Sequence, residues 1–94
     1  MKKPKWTVTD VQPHLDHTMT VVFITGEKKL VDMRSKLEYP IYKKLKNVSF
    51  FMQAHVAFNT VLWNDDIDIA PETLYEEGVL IGDEADDQRV LTAY

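Results

Sequence analysis

The chain has 94 residues, of which 45% are hydrophobic and 28% charged, and its formal net charge is −4. This length and composition predict one globular domain with a single core and argue against a second domain. The absence of cysteine excludes a disulfide scaffold, thiolate metal sites and cysteine nucleophiles. No apolar run approaches the roughly 18 residues of a membrane span, and the lysine-rich start leads into a strand, so we expect a cytoplasmic protein.

The charges are divided unevenly along the chain. Residues 1–46 carry ten Lys and Arg against five Asp and Glu, whereas residues 47–94 carry one against ten, which gives net charges of +5 and −9. One domain that interleaves both halves would dilute this asymmetry in space. Alternatively, a basic face and an acidic face survive folding and steer a charged partner.

The first third of the chain has the pattern of three strands. Residues 6–11 alternate apolar side chains with threonine and predict a strand that ends at Pro13. A loop leads to residues 18–25, which are apolar or β-branched and predict a central strand covered on both faces. Gly26 punctuates this strand and residues 28–33 run back, so the three strands are expected to form an antiparallel meander.

The middle of the chain predicts a short helix and a second hairpin. Pro40 is expected to open the helix, with Ile41 and Leu45, four residues apart, facing the core. Residues 52–58 alternate apolar and polar side chains and predict a strand whose apolar members, including Phe58, are buried. This strand is expected to turn into another strand that carries Trp63.

A second short helix follows Trp63. Pro71 suits its first position, because the missing N–H of proline would be unpaired there in any case. Ile69 and Leu74 have the spacing of a hydrophobic staple, and Gly78 is expected to be a left-handed stop. The chain therefore predicts a single α+β domain over residues 1–78, with a small antiparallel sheet of about five strands and two short helices. Residues 79–94 are expected to form a largely mobile acidic tail.

Three segments together resemble a known family. They are Asp10-Val11-Gln12-Pro13, then Phe23-Ile24-Thr25-Gly26-Glu27 with Asp32-Met33, and above all Trp63 with Asp68-Ile69-Ala70-Pro71-Glu72-Thr73-Leu74-Tyr75. Over roughly residues 6–75 the chain resembles the bacterial domain-of-unknown-function family 2442. It departs from the family pattern at Asn64, where Pro is usual, and at residues 58–60, where a Gly-rich turn is usual.

The resemblance implies a small α+β domain with an antiparallel sheet and no established activity. It also implies a partner. Members of the family often lie in genomes beside a short companion protein of another uncharacterised family, 4160, in an arrangement similar to toxin-antitoxin pairs.

Two groups of residues have the chemistry of metal ligands, but each has a simpler structural role. His14 and His17 flank a carboxylate in what we interpret as a solvent-facing loop. Asp65 and Asp66 are interpreted as turn residues, and Asp68 as a cap of the following helix. We expect no metal site, no cofactor and no catalytic residues, since the chain has no Gly-rich phosphate loop, nucleophile elbow or Walker motif.

These features favour a noncatalytic protein-interaction module, with a small companion protein of a neighbouring gene as its partner. Its candidate contacts are tyrosines and lysines expected at the surface: Tyr39, Tyr42, Lys43, Lys44, Lys46 and Tyr75. An edge strand that accepts a partner strand is a further way to bind. The alternative is a nucleic-acid-binding regulatory protein that uses the basic N-terminal half, although the acidic overall charge and the lack of a recognised motif count against it.

Overall fold

The computed structural model describes residues 3–64 and 67–83, which form a mixed α+β fold. Its elements in chain order are β1 (Val8–Pro13), β2 (Thr18–Phe23), β3 (Glu27–Asp32), the 3₁₀ helices η1 (Arg34–Lys36) and η2 (Pro40–Lys46), α1 (Val48–Phe51), β4 (His55–Ala57), β5 (Thr60–Leu62), β6 (Asp68–Ile69), α2 (Pro71–Glu77) and β7 (Val79–Asp83). One sheet has the order β1-β2-β3-β7 and the other β4-β5-β6. The predicted class is confirmed, with seven described strands in two antiparallel sheets rather than about five in one.

The predicted meander is present as strands β1, β2 and β3. β2 is central. Its Met19, Val21 and Phe23 are buried on one face of the sheet, and Val22 on the other face is buried as well. Gly26, in the turn between β2 and β3, has a φ of 92°, which a residue without a Cβ adopts readily.

A tight hairpin replaces the long strand predicted over residues 52–58. Only His55–Ala57 pair as β4, while Met52 follows helix α1 and is exposed. Phe58 and Asn59 form the two-residue turn into β5, with φ values of 52° and 66°. The prediction that Phe58 is buried is wrong, since 88% of it is exposed. Alternating apolar residues did not distinguish a strand from a helix end followed by a turn.

One hydrophobic cluster of the described residues joins the two sheets to the helices. Its members are Val8, Met19, Val21, Phe23, Val31, Met33, Leu45, Phe51, Val61, Trp63, Ile67, Ile69 and Leu74. Trp63 is buried as predicted, and its indole Nε1–H donates to the Phe51 carbonyl at 2.9 Å. This bond satisfies the one polar group that the indole brings into the core.

Helix η2 begins at Pro40 as predicted, but it buries only one of its two expected core residues. Leu45 is buried, whereas Ile41 is exposed. The prediction for Ile41 assumed an α-helix, in which residues four apart share a face. In a 3₁₀ helix of three residues per turn, residues four apart point about 120° away from each other.

Helix α2 begins at Pro71, with Ala70 in the N-cap position and without a side-chain cap. The predicted capping role of Asp68 is therefore wrong, and Asp68 belongs to β6 instead. Ile69 and Leu74 are both buried in the core, at the positions of the predicted hydrophobic staple. Asp65 and Asp66 lie outside the described residues.

Gly78 ends α2, but it is not the left-handed stop that the sequence predicts. Its φ of −67° and ψ of 146° are those of extended backbone. A Cβ at this position would lie 2.8 Å from the Leu74 carbonyl oxygen and 2.8 Å from Lys29 Cβ. Glycine is therefore required by the close approach of the end of α2 to β3, not by its backbone angles.

The first part of the predicted tail is a strand. Residues 79–83 form β7, which pairs antiparallel with β3 and carries a register shift opposite the Lys28–Lys29 step. The first sheet thus continues past residue 78, where the sequence analysis places the end of the domain. Residues 84–94, the rest of the predicted tail, lie outside the described residues.

Candidate functional site

Five of the six predicted contact residues lie together on helix η2 and its first flanking residue. Tyr39 is the N-cap, held extended as the residue before a proline, and the other four follow within Pro40–Lys46. We define the η2 face as the exposed side chains of this segment: Tyr39, Ile41, Lys43, Lys44 and Lys46. A short 3₁₀ helix thus places aromatic, aliphatic and basic groups on one surface segment.

Tyr42 supports the η2 face rather than belonging to it. It is half-buried and its hydroxyl donates to the Asp68 carbonyl at 3.3 Å, which ties η2 to β6. Burial raises the pKa of Tyr42 above its ordinary value. Its ring lies 6.5 Å from that of Tyr39 at a tilted angle, so the exposed tyrosine rests against an anchored one.

A groove runs between η2 and α1. It has a volume of about 630 Å³ and is lined by Lys43, Lys44, Lys46, Asn47, Ser49, Phe50 and Gln53. Asn47 shapes the junction, because its side-chain oxygen accepts the Phe50 N–H at 3.2 Å and caps α1. Lys46 Nζ lies 2.8 Å from Glu38, and this hydrogen bond holds the pKa of Glu38 below its ordinary value. The groove is therefore basic and polar, with one aromatic ring among its lining residues.

The histidines considered as metal ligands instead fasten structural elements. His17, at a φ of 67°, lies with its Nε2 2.8 Å from the Leu45 carbonyl and its ring 4.9 Å from Phe51. A carbonyl oxygen can only accept, so this nitrogen carries the proton. His14 Nε2 lies 2.8 Å from Thr20 Oγ1. Among residues 3–64 and 67–83, no three His, Asp or Glu side chains come together as a possible metal site.

Tyr75 lies away from the η2 face, where its ring contacts residues of β2 and β3 and has Lys5 Nζ 5.4 Å from its centroid. Its ring meets Phe23 edge-on at 5.0 Å, and Lys29 Nζ lies 3.7 Å from the ring centroid. Its hydroxyl donates to Glu27 at 2.6 Å, which raises the pKa of Tyr75 and lowers that of Glu27. A pocket of about 410 Å³ next to this cluster is lined by Lys5, Trp6, Lys29, Glu72, Tyr75 and Glu76. The structure thus separates Tyr75 from the other predicted contacts, since it is engaged within the domain.

The family profile described as protein of unknown function (DUF2442) matches residues 8–79. The match spans more than half of the 94 residues. The chain belongs to the DUF2442 family. For this DUF2442 protein, no curated protein and no solved structure gives a significant match. In the described part of the chain, no helix has the length and apolar character needed to cross a membrane.

Two exposed apolar features of this DUF2442 protein were missed by reasoning from sequence. One is Phe58, at the tip of the β4–β5 hairpin. The other is β7, in which Val79, Leu80 and Ile81 are all exposed. A signal was present in each case: an Asn in a potential two-residue turn next to Phe58, and an apolar run directly after Gly78. Neither signal reveals exposure, because exposure depends on what the rest of the fold covers.

Proposed function

We propose that this DUF2442 protein is a noncatalytic protein-interaction module that binds an acidic segment of a partner protein through the η2 face. The observation that carries the proposal is the pair Tyr39 and Ile41, each 55% exposed, on the same short segment as three exposed lysines. Scattered exposed apolar residues are ordinary on a protein surface. An aromatic and an aliphatic side chain beside basic groups instead offer apolar surface that a partner can bury. The basic groups add positive charge that attracts an acidic segment.

The charges of the described surface favour a protein partner over a nucleic acid. Several basic side chains of the N-terminal half are paired with carboxylates: Arg34 with Asp32, Lys36 with Glu77 and Lys46 with Glu38, at 2.7–2.8 Å. These ion pairs reduce the positive potential that a phosphate backbone would need along a continuous track.

Nucleic-acid binding is the second candidate function. Three lysines line one groove together with Asn47, Ser49 and Gln53, and such side chains contact phosphate and sugar oxygens in many complexes. A regulatory protein that holds a phosphate backbone in this groove would use the basic half of the chain, as the sequence suggests.

The protein partner that we favour is a small companion encoded nearby, in a bacterial two-protein system resembling toxin-antitoxin pairs.

The two functions are separated by a binding titration with two probes, the purified companion protein and a short DNA duplex. Wild type is compared with the triple change of Lys43, Lys44 and Lys46 to Glu at about 50 mM and 200 mM salt, a range over which phosphate contacts lose affinity steeply. We expect the wild type to bind the companion and the triple variant to bind it at least roughly tenfold more weakly at the lower salt.

The apolar part of the η2 face is tested with Tyr39→Ala and Ile41→Ala together, and with Leu15→Ala as the matched control. Leu15 is also exposed but lies in the β1–β2 loop. The double change should weaken companion binding at both salts, because burial of apolar surface is little affected by screening, and the control should not. If only the duplex is retained, and the triple lysine change abolishes that retention, the nucleic-acid function replaces the one proposed.

A further inference from the structure

The groove between η2 and α1 contains apolar surface although most of its lining residues are polar. Phe50 is the one apolar residue among the described residues that line it. The Phe50 side chain is half-buried, since part of it packs against the core cluster and the rest borders the groove. The lining lysines add their aliphatic stems, because a lysine at a surface keeps only its ammonium group in water. A side chain of a partner can therefore bury apolar surface here.

Contacts within the domain hold both walls of this groove in place. His17 contacts each wall, with its Nε2 2.8 Å from the Leu45 carbonyl of η2 and its ring 4.9 Å from that of Phe51 in α1. Between the two helices, the Asn47 side chain accepts the Phe50 N–H at 3.2 Å. A groove that is already shaped loses less conformational entropy on binding than one that must first be ordered.

The charges at the groove favour acidic residues in the bound segment. Three lysines line the groove, and none of the described residues around it carries a carboxylate. Lys46 is shared with Glu38 at 2.8 Å, whereas Lys43 has no ion-pair partner in the part of the chain that the structure describes. Carboxylates of a partner would therefore meet positive charge at this place.

The same groups favour an aromatic side chain over an aliphatic one inside the groove. Aromatic rings attract one another in tilted or offset pairs, which Phe50 can offer. A lysine ammonium is also attracted to the face of an aromatic ring. An aliphatic side chain of similar size would gain the burial of apolar surface but neither of these two interactions.

We propose that the acidic segment of the partner inserts one aromatic side chain into this groove, against Phe50, and places carboxylates on either side of it near Lys43 and Lys46. This proposal rests on the proposed function, because it takes the binding of an acidic segment at the η2 face as given. Attraction between exposed charges is screened by salt and discriminates little between one acidic segment and another. The aromatic residue would supply that discrimination.

The test uses the full chain and four fluorescein-labelled peptides of equal length. Three of them carry Glu pairs on both sides of a central Phe, Leu or Ala, and the fourth carries Lys pairs on both sides of Phe. Anisotropy titrations up to about 1 mM peptide cover the range of weak binding. We expect the Glu-flanked Phe peptide to bind at least roughly fivefold more tightly than the Leu peptide and at least roughly tenfold more tightly than the Ala peptide.

Two variants fill the groove without removing a buried group. Ser49→Trp and Gln53→Trp each change an exposed lining residue, and Ser35→Trp in η1 is the matched control outside the groove. Each groove variant should weaken binding of the Glu-flanked Phe peptide by roughly tenfold or more, and the control should not. The Glu-flanked Ala peptide, which has no side chain for the groove, should bind all four proteins equally. Thermal unfolding curves check that each variant is folded.

The outcomes separate this proposal from the function on which it rests. If the Glu-flanked Phe, Leu and Ala peptides bind equally, and the triple change of Lys43, Lys44 and Lys46 to Glu weakens all of them, the groove proposal is overturned and the proposed function stands. If the Lys-flanked peptide binds as tightly as its Glu-flanked counterpart, both are overturned.

Three further results would also overturn the groove proposal. They are the absence of binding by any peptide, an equal loss of affinity in Ser35→Trp and Ser49→Trp, and a wild-type dimer in sedimentation that Ser49→Trp dissociates. In the last case a second copy of the chain would occupy the groove.

Discussion

Replacement of Gly78 by alanine tests how helix α2 meets strand β3. At a φ of −67° the change from Gly to Ala would normally stabilise a protein by about 0.4–1 kcal/mol, since it restricts the unfolded chain. Here the added methyl would lie 2.8 Å from both the Leu74 carbonyl oxygen and Lys29 Cβ. That oxygen also accepts the Gly78 N–H at 3.0 Å, so it cannot move freely. Overpacking costs about 1–3 kcal/mol, so the net loss lies between about 0 and about 2.6 kcal/mol.

Gly26 supplies a matched control with a different physical cause. Its φ of 92° strains any residue with a Cβ, but asparagine tolerates positive φ better than alanine does. At position 26 we therefore expect Asn to be milder than Ala. At position 78, where space is limiting rather than the backbone angle, the order should be reversed and Asn should cost more than Ala.

Urea denaturation followed by tryptophan fluorescence measures all four variants against the wild type. A loss of about 1 kcal/mol in a domain of this size lowers the melting temperature by about 4–8 °C, which a thermal scan detects independently. If Gly78→Ala stabilises the protein, there is space for a Cβ between residue 78 and its neighbours Leu74 and Lys29, and the steric argument is refuted. If Gly78→Asn is milder than Gly78→Ala, the left-handed stop predicted from the sequence regains support.

Three further predictions concern other parts of the fold. Trp63→Ala should cost about 3–5 kcal/mol in denaturant unfolding. Trp63→Phe should cost about 0.5–1.5 kcal/mol for the lost hydrogen bond, because the Phe51 carbonyl loses the indole N–H and keeps the Ala54 N–H at 3.2 Å. An unchanged midpoint would remove this indole from the core. The double change Phe58→Asn and Asn59→Gly gives the hairpin tip the turn sequence that tolerates positive φ best. It should raise the free energy of unfolding by about 1–2 kcal/mol. A lower free energy of unfolding would show that the positive φ angles of Phe58 and Asn59 do not strain the protein. The Arg34 guanidinium donates hydrogen bonds to Asp32 and lowers the pKa of this carboxyl to about 2. Because the pKa of Asp32 is lower in the folded protein than in the unfolded chain, its contribution to stability is present above about pH 4 and is lost as the pH falls toward 2. The ion pair of Asp32 with Arg34 is exposed, so Asp32→Asn should remove at most about 1 kcal/mol. Melting curves of Asp32→Asn and wild type that stay equally far apart from pH 6 to pH 2 would contradict this assignment.

Local signals in the sequence were enough for the elements that depend on neighbouring residues. The meander follows from alternation and from Gly26, and the start of α2 follows from Pro71, because a turn or a helix start is decided within a few residues. β7 could not be found in the same way. Its partner β3 lies about fifty residues earlier in the chain, and the acidic residues after it have the composition of a tail.

The tyrosine and lysines of the candidate site were predictable from sequence for the same reason, whereas the exposure of Ile41 was not. The residues of the η2 face are neighbours in sequence, so a short helix that exposes its lysines brings them together. Tyr75 was grouped with them only by residue type. Its contacts with Phe23, Glu27 and Lys29 come from strands far away in sequence, and no local pattern indicates them.

Folding brings some of the basic residues of the first half of the chain next to acidic residues of the second half. Around Tyr75 the halves mix, since Lys5 and Lys29 line the same pocket as Glu72 and Glu76. Lys36 also binds Glu77 from the other half. Among the described residues, exposed positive charge remains on the η2 face, at Lys43, Lys44 and Lys46. Within one Debye length of roughly 8–10 Å, a partner therefore responds to the sign of the nearest surface and not to the net charge of either half.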